Sequence, residues 1–161
     1  MLDGRPVVLR AIRADDRGAI RRGFHRLSER AVYQRFFQVK KELSEKELSY
    51  LTELDFEKHV GLVATLAEDA EDGIGVGRYV ADPEGGPPEV AFVVDEEHQG
   101  LGIATLLLRH LAAIARAKGH HELRALVLFD NRSMMEVFEH AGFPLKRRRE
   151  GNVIELTLGL G

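Results

Sequence analysis

Gln99-Gly100-Leu101-Gly102-Ile103-Ala104 is the part of this sequence best suited to chemistry. Two glycines let a backbone turn tightly and aim successive N–H groups at one point. Apolar residues at helical spacing begin at Ile103 and predict a helix there. Its unpaired amides and positive dipole end suit a phosphate or pyrophosphate. A Walker loop would continue into Gly-Lys-Ser/Thr, and a dinucleotide fingerprint would follow the first strand with Gly-x-Gly-x-x-Gly. The chain has neither. It also has no Cys, which excludes thiolate nucleophiles, disulfides and zinc–cysteine sites. No Ser-His arrangement points to an acyl-enzyme. His120 and His121 are adjacent and point apart, and His110 is expected on a buried helix face without acidic partners at ligand spacing. No metal site is expected. The basic run Lys146-Arg147-Arg148-Arg149 reads as a solvated edge before a turn, and nucleic-acid binding is not expected.

The elements that must position the glycine turn follow from periodicity and punctuation. Residues 7–12 read as a first strand, and residues 14–37 as two short helices broken near Leu27-Ser28. Ser44 with Glu47 three residues on has the pattern of a capping box and starts a further helix. Segments 59–67 and 75–81 are strand-like, separated by an acidic loop at 68–73, and 82–88 is a turn. Residues 90–94 are apolar on both faces, as a central buried strand would be. In the helix that follows, Ile103, Leu106, Leu107, His110, Leu111 and Ile114 form the predicted buried stripe, and Gly119 ends it. A strand at 123–129, a helix at 131–141 stopped by Gly142, and a closing strand at 153–158 complete the chain. The strand–helix–strand unit over 89–129 requires a parallel crossover, while the outer strands are spaced for hairpins. The fold class is therefore α/β with a mixed sheet.

With 161 residues, 44% of them hydrophobic, the chain reads as a single domain over 1–161 with a real core. No apolar run exceeds five residues, so neither a membrane span nor a signal-peptide core is expected, and the expected setting is the cytoplasm. Charge is uneven. Residues 1–41 carry 11 basic and 4 acidic side chains, whereas residues 42–100 carry 3 and 16. This imbalance reads either as solvated faces or as an acidic mouth that draws in a cationic substrate.

Gln99-x-x-Gly102-x-Ala104 resembles the Gln/Arg-x-x-Gly-x-Gly/Ala signature of the GNAT superfamily of acetyl-CoA-dependent N-acyltransferases. Asn131, Phe138 and Gly142-Phe143 repeat the spacing of that family's second landmark helix. Leu9-Arg10-Ala11-Ile12-Arg13, Arg35-Phe36-Phe37, Leu43-Ser44 and Gly77-Arg78-Tyr79 look like the bacterial protein-lysine acetyltransferases of the Pat type. The resemblance implies a mostly antiparallel sheet of about six or seven strands around a central parallel β-α-β crossover. It implies acetyl-CoA as donor. The backbone of Phe92, Val93 and Val94 would pair with the pantetheine arm, and amides of Gly100, Leu101, Gly102, Ile103 and Ala104 would hold the pyrophosphate. Gln99 and Asn131 would flank the same cofactor, although Asn131 also reads as a helix N-cap.

Transfer to an amine needs a proton acceptor, because a free lysine titrates near 10.4. Glu89 heads an otherwise apolar strand, a setting in which partial burial makes a carboxylate a better base. The resemblance places the catalytic Glu at this strand position, and a solvated strand-end charge is the alternative. Where many relatives carry a Tyr general acid, this chain has Phe138. Tyr79 is a possible substitute, with an ordinary core role more expected. A protein lysine is the leading acceptor; a small-molecule amine acetyltransferase and a non-catalytic acyl-CoA sensor are the alternatives.

Overall fold

The computed structural model of the protein describes residues 6–38, 40–95, 98–99 and 102–161, with the backbone alone at 70–72. Its strands are β1 (Val7–Ala11), β2 (His59–Leu66), β3 (Asp69–Val80), β4 (Glu89–Val94), β5 (Glu122–Leu128), β6 (Leu145–Glu150) and β7 (Val153–Gly159). Its helices are α1 (Arg17–Arg26), α2 (Glu29–Phe36), α3 (Glu45–Thr52), α4 (Ile103–Ala117) and α5 (Arg132–His140), and a 3-10 turn, Ala14–Asp16, precedes α1. The seven strands form one sheet in the order β1-β2-β3-β4-β5-β7-β6. Every neighbouring pair is antiparallel except β4–β5, which the α4 crossover makes parallel.

Local chemistry sets the helix boundaries. Ser28 caps α2 by accepting from the Ala31 amide at 3.1 Å. Ser44 and Glu47 exchange bonds of 3.1 Å each as a capping box at α3. Gly119 and Gly142, both at φ 93°, follow α4 and α5. The helices cover both faces of the sheet. α4 lies over Gly75, Gly77 and Phe92, and a Cβ on Gly77 would stand 2.8 Å from the Phe92 ring and 3.0 Å from Leu111. Only glycine permits this close approach. On the opposite face, over Val63, Val76 and Val93, helices α1–α3 gather a smaller core of Phe24, Val32, Leu43, Leu48 and Leu51.

The structure corrects several sequence expectations. The acidic segment 68–73 is not a separating loop: β3 begins at Asp69, and the β2–β3 register shifts around Thr65 absorb the irregularity. Acidic residues hid this strand because they break the apolar alternation. On α4 the buried residues are Ile103, Leu107, Leu108, Leu111, Ala112 and Ala115, while Leu106 and Ile114 are half-buried and His110 is exposed. The apolar arc of this helix is wide, and Ile103, Leu107 and Leu111 make the closest contacts with the glycine-lined strand beneath it. The basic run lies within β6, an edge strand, so β7 sits inside the sheet rather than closing it. Charge on an edge strand discourages pairing with other chains. Its arginines also have local partners: Arg147 meets Glu139 at 2.8 Å, Arg148 meets Glu155 at 3.7 Å, and Arg149 stacks 4.3 Å from the Phe129 ring.

The uneven charge along the chain is largely reconciled within the fold. Arg17 and Arg21 of α1 both pair with Glu45 of α3, Arg17 also reaches Glu53, Lys40 pairs with Glu47, and Arg26 lies 3.8 Å from Asp95. The basic first segment thus packs against the acidic second one.

Candidate active site

β4 is paired unequally on its two sides. All six of its residues pair with β3, from Glu89↔Val80 to Val94↔Gly75. On the other side the pairing with β5 stops at Glu89↔Arg124, with the Arg124 amide donating to the Pro88 carbonyl at 2.8 Å. Beyond that point the strands part, and a cleft of about 500 Å³ opens between residues 90–94 of β4 and 125–127 of β5. One edge of β4 is thereby left with backbone groups able to pair with an extended ligand. Burial on β4 alternates: Val90, Phe92 and Val94 are buried, while Glu89, Ala91 and Val93 are half-buried. The apolar character of both faces therefore marks a strand beside a cleft, not one enclosed in core.

Phe92, Val93, Val94, Gln99, Gly102, Ile103, Ala104 and Asn131, all expected at a cofactor, line this one cleft. Gly100 and Leu101 lie outside the described residues. Gly102 is the N-cap of α4 at φ 85°, with no side-chain cap. The first helical bond runs from the Leu106 amide to the Gly102 carbonyl at 3.0 Å. The amides of Ile103, Ala104 and Thr105 are left without helical partners, and these residues line the cleft. An uncapped helix start with its positive dipole end in a cleft fits an anionic group. A Cβ on Gly102 would meet nothing within 4 Å, so backbone conformation rather than crowding demands glycine there. Gln99 donates its side-chain amide to the Val94 carbonyl at 3.2 Å and so ties the loop before α4 to the end of β4. Asn131 is 6% exposed and its Oδ1 accepts from the Met134 amide at 3.3 Å and the Ser133 hydroxyl at 3.2 Å. It caps α5 and borders the cleft at once.

Glu89 stands at the head of β4 in an adjoining pocket of about 490 Å³, whose walls include Arg35, Tyr50, Arg78, Asp82 and Arg124. Its side chain is 40% exposed, and its Oε1 lies 3.4 Å from the Arg124 guanidinium. Ala91, one strand repeat along the same face, lines both this pocket and the cleft, as does Arg35. The two spaces therefore meet there. Phe138 is 1% exposed and lines the cleft with its ring 5.9 Å from that of Phe92. Tyr79 is fully buried, pairs with Val90 and has a hydroxyl with no hydrogen-bond partner among the described residues. Burial pushes this phenol up, with Glu57 adding to the effect. It lines neither space, so it belongs to the core and cannot replace the missing Tyr.

Sequence reasoning did not mark Arg35, His59 or Arg78 as site residues. Arg78 is 4% exposed and donates from Nη1 to the Leu51 carbonyl at 3.0 Å, with His59 Nε2 also 3.0 Å away. Burial first, and the Arg78 charge second, push His59 down to about 4. The available signal was an arginine inside the otherwise small and apolar Gly75-Val76-Gly77-Arg78-Tyr79-Val80. The acidic-mouth expectation also needs correction: the carboxylates of Glu47, Asp82 and Glu89 share the pocket with Arg35, Lys40, Arg78 and Arg124.

The sequence pattern of the acetyltransferase (GNAT) family matches residues 26–143, a span that includes both walls of this cleft and the start of α4. The chain belongs to the GNAT acetyltransferase family. It is an acetyl-CoA-dependent acetyltransferase of the GNAT fold. It is 34% identical over 142 residues to the acetyltransferase PA5475 of Pseudomonas aeruginosa, covering 88% of this chain and 76% of that protein. It is 32% identical over 120 residues to the acetyltransferase Pat of Mycolicibacterium smegmatis; these span 71% of this chain but 34% of Pat. Among solved structures, the GNAT domain of S. lividans PAT superposes with a TM-score of 0.88 at 35% identity, covering 98% of this chain and 93% of that one. The structural likeness to a PAT domain agrees with the Pat-type features of the N-terminal half.

Proposed function

We propose that this GNAT enzyme acetylates the side-chain amine of a protein lysine, with Glu89 as the proton acceptor. The observation that carries the reading is the junction at Ala91 and Arg35, where the cofactor cleft opens into the pocket headed by Glu89. Resemblance to the Pat-type protein-lysine acetyltransferases supports lysine as the acceptor. Bound in the cleft, acetyl-CoA would supply the thioester that an amine attacks and a thiolate leaving group whose thiol ionises near 8.5.

The chain's own residues then have distinct roles. The amides at the start of α4 would bind the pyrophosphate, and the free edge of β4 would align the pantetheine arm. Glu89 would take the proton of the incoming ammonium, directly or through a water, because a lysine titrating near 10.4 is almost wholly charged at neutral pH. Arg124, 3.4 Å away, orients that carboxylate. Phe138 would add an apolar wall to the cleft, and the second amine proton, released as the amide forms and the C–S bond breaks, would pass to the departing thiolate or to solvent, so no side-chain acid is needed.

The reading is tested by acetyl-CoA consumption with lysine-bearing peptides and with small amines. Lysine peptides are expected to turn over and small amines to lag. Selective turnover of the small amines would overturn the acceptor assignment, and negligible consumption with every amine would identify a sensor instead of an enzyme.

A further inference from the structure

The Glu89 pocket holds positive charge that proton removal does not use. Arg78 is buried, and the two groups it meets, the Leu51 carbonyl and the His59 ring, are both neutral. Arg35 reaches the same pocket from α2 with its guanidinium 4.9 Å from the Phe36 ring, and among the described residues no hydrogen bond or ion pair engages it. Of the other charges facing this space, Glu47 pairs with Lys40, Asp82 accepts from the Glu84 amide at 2.9 Å, and Glu89 contacts Arg124 and attracts Arg35 through space without an ion-pair contact to it, so one carboxylate faces three guanidinium groups. Burial, reinforced by Arg35, pushes Arg78 down to about 9, which leaves it cationic at neutral pH. Buried guanidinium groups are ordinarily matched by carboxylates, because an unmatched buried charge is costly. Their planar forks suit a carboxylate in two-point contact.

We infer that Arg35, backed by Arg78, forms a carboxylate subsite in the acceptor pocket, so that the preferred acceptor carries a carboxylate close to its reactive amine. Arg35 stands where the two spaces meet, but Arg78 lines the Glu89 pocket and not the cleft, so the two guanidinium groups come together only on the acceptor side, and the anion they suit arrives with the acceptor. Taken with the protein-lysine reading, on which this form of the inference rests, the carboxylate is an Asp or Glu side chain adjacent to the lysine. The amine then meets Glu89 while the neighbouring carboxylate meets Arg35, and the pocket reads both charges.

The test compares two peptides that differ only in Glu or Gln beside the lysine, and a second pair, L-lysine and cadaverine, that differ only in the carboxylate. Each is assayed at saturating acetyl-CoA with the wild type, Arg35→Gln and Arg35→Lys. Wild type is expected to favour the carboxylate member by about tenfold or more in kcat/KM, chiefly through KM, the size of one charge-assisted contact. Arg35→Gln should abolish that ratio and Arg35→Lys should keep part of it, whereas a purely structural role would lower both members equally. Equal turnover of the two peptides by wild type overturns the subsite while leaving the lysine reading intact. Inert peptides with an Arg35-dependent preference for L-lysine over cadaverine uphold the subsite and overturn the protein-lysine reading. A preference unchanged in Arg35→Gln, or absent from both pairs, overturns the subsite. Should Arg35→Gln fail to fold, the wild-type ratios and Arg35→Lys still decide.

Discussion

The two sides of the β4 junction are built from different materials. The candidate cofactor cleft uses mainly backbone, the free edge of β4 and the uncapped start of α4, with the Asn131 side-chain cap of α5 at its border, and it is lined largely by apolar side chains. The acceptor pocket uses charged side chains from α2, α3, β3, β4 and β5, among them Arg35, Glu47, Arg78, Glu89 and Arg124. A backbone site serves one ligand that every member of a family shares, since amides and strand edges survive changes of side chain. A side-chain site can be rewritten residue by residue, so under the proposed function it is where acceptor preference would reside.

This contrast is strongest at Glu89. Glu89→Gln should lower kcat with a lysine acceptor by about 10²–10⁴-fold, the usual cost of losing a general base. Its acetyl-CoA affinity, measured by calorimetry, should stay within a small factor of wild type, because Glu89 lies outside the cleft lining. A matching loss of acetyl-CoA binding would erase the separation of the two sides.

A smaller effect is expected on the backbone side. Gly102→Val places a branched residue at φ 85°, a conformation costing about 1–3 kcal/mol outside glycine, and projects it into open space at the cofactor side. Acetyl-CoA binding should weaken about tenfold or more by calorimetry while circular dichroism shows the fold retained. Unchanged affinity would remove the start of α4 from the cofactor site.

The smallest effect concerns the support beneath the acceptor pocket. His59 titrates at about 4 in the fold, against about 6.5 for an unfolded chain. Between those values the unfolded chain binds more protons, so this contribution to stability is complete above pH 6.5 and is lost as pH falls toward 4. The loss is on the order of 3 kcal/mol, or about 6–12 °C in Tm for a chain of this size. His59→Gln, which still offers Arg78 an acceptor, should flatten the Tm profile across that window. A slope unaltered by the substitution would place the titrating group elsewhere.

The same division separates what was legible in the sequence from what was not. The glycine turn, the capping box at Ser44, the α5 cap at Asn131 and the strand ending at Val94 were readable because each is a local backbone requirement met by a few consecutive residues. Arg35 and Arg78 stand 43 positions apart, and nothing in either neighbourhood announces the other. β6 was missed because an edge strand needs no apolar face, and its arginines read as a solvated run.

Sequence alone determined the α/β class and the order of elements around the crossover, since these depend on periodicity, caps and glycine conformation over short spans, while the family and the residues that border the cleft were legible through motif resemblance. Tertiary structure alone decided that β4 and β5 part after Glu89, that β7 lies inside β6, that the basic and acidic segments neutralise each other, and that two arginines converge beside Glu89. Those outcomes depend on which distant surfaces fit together. Packing and charge pairing between segments act through space, and a linear pattern does not record distance in three dimensions.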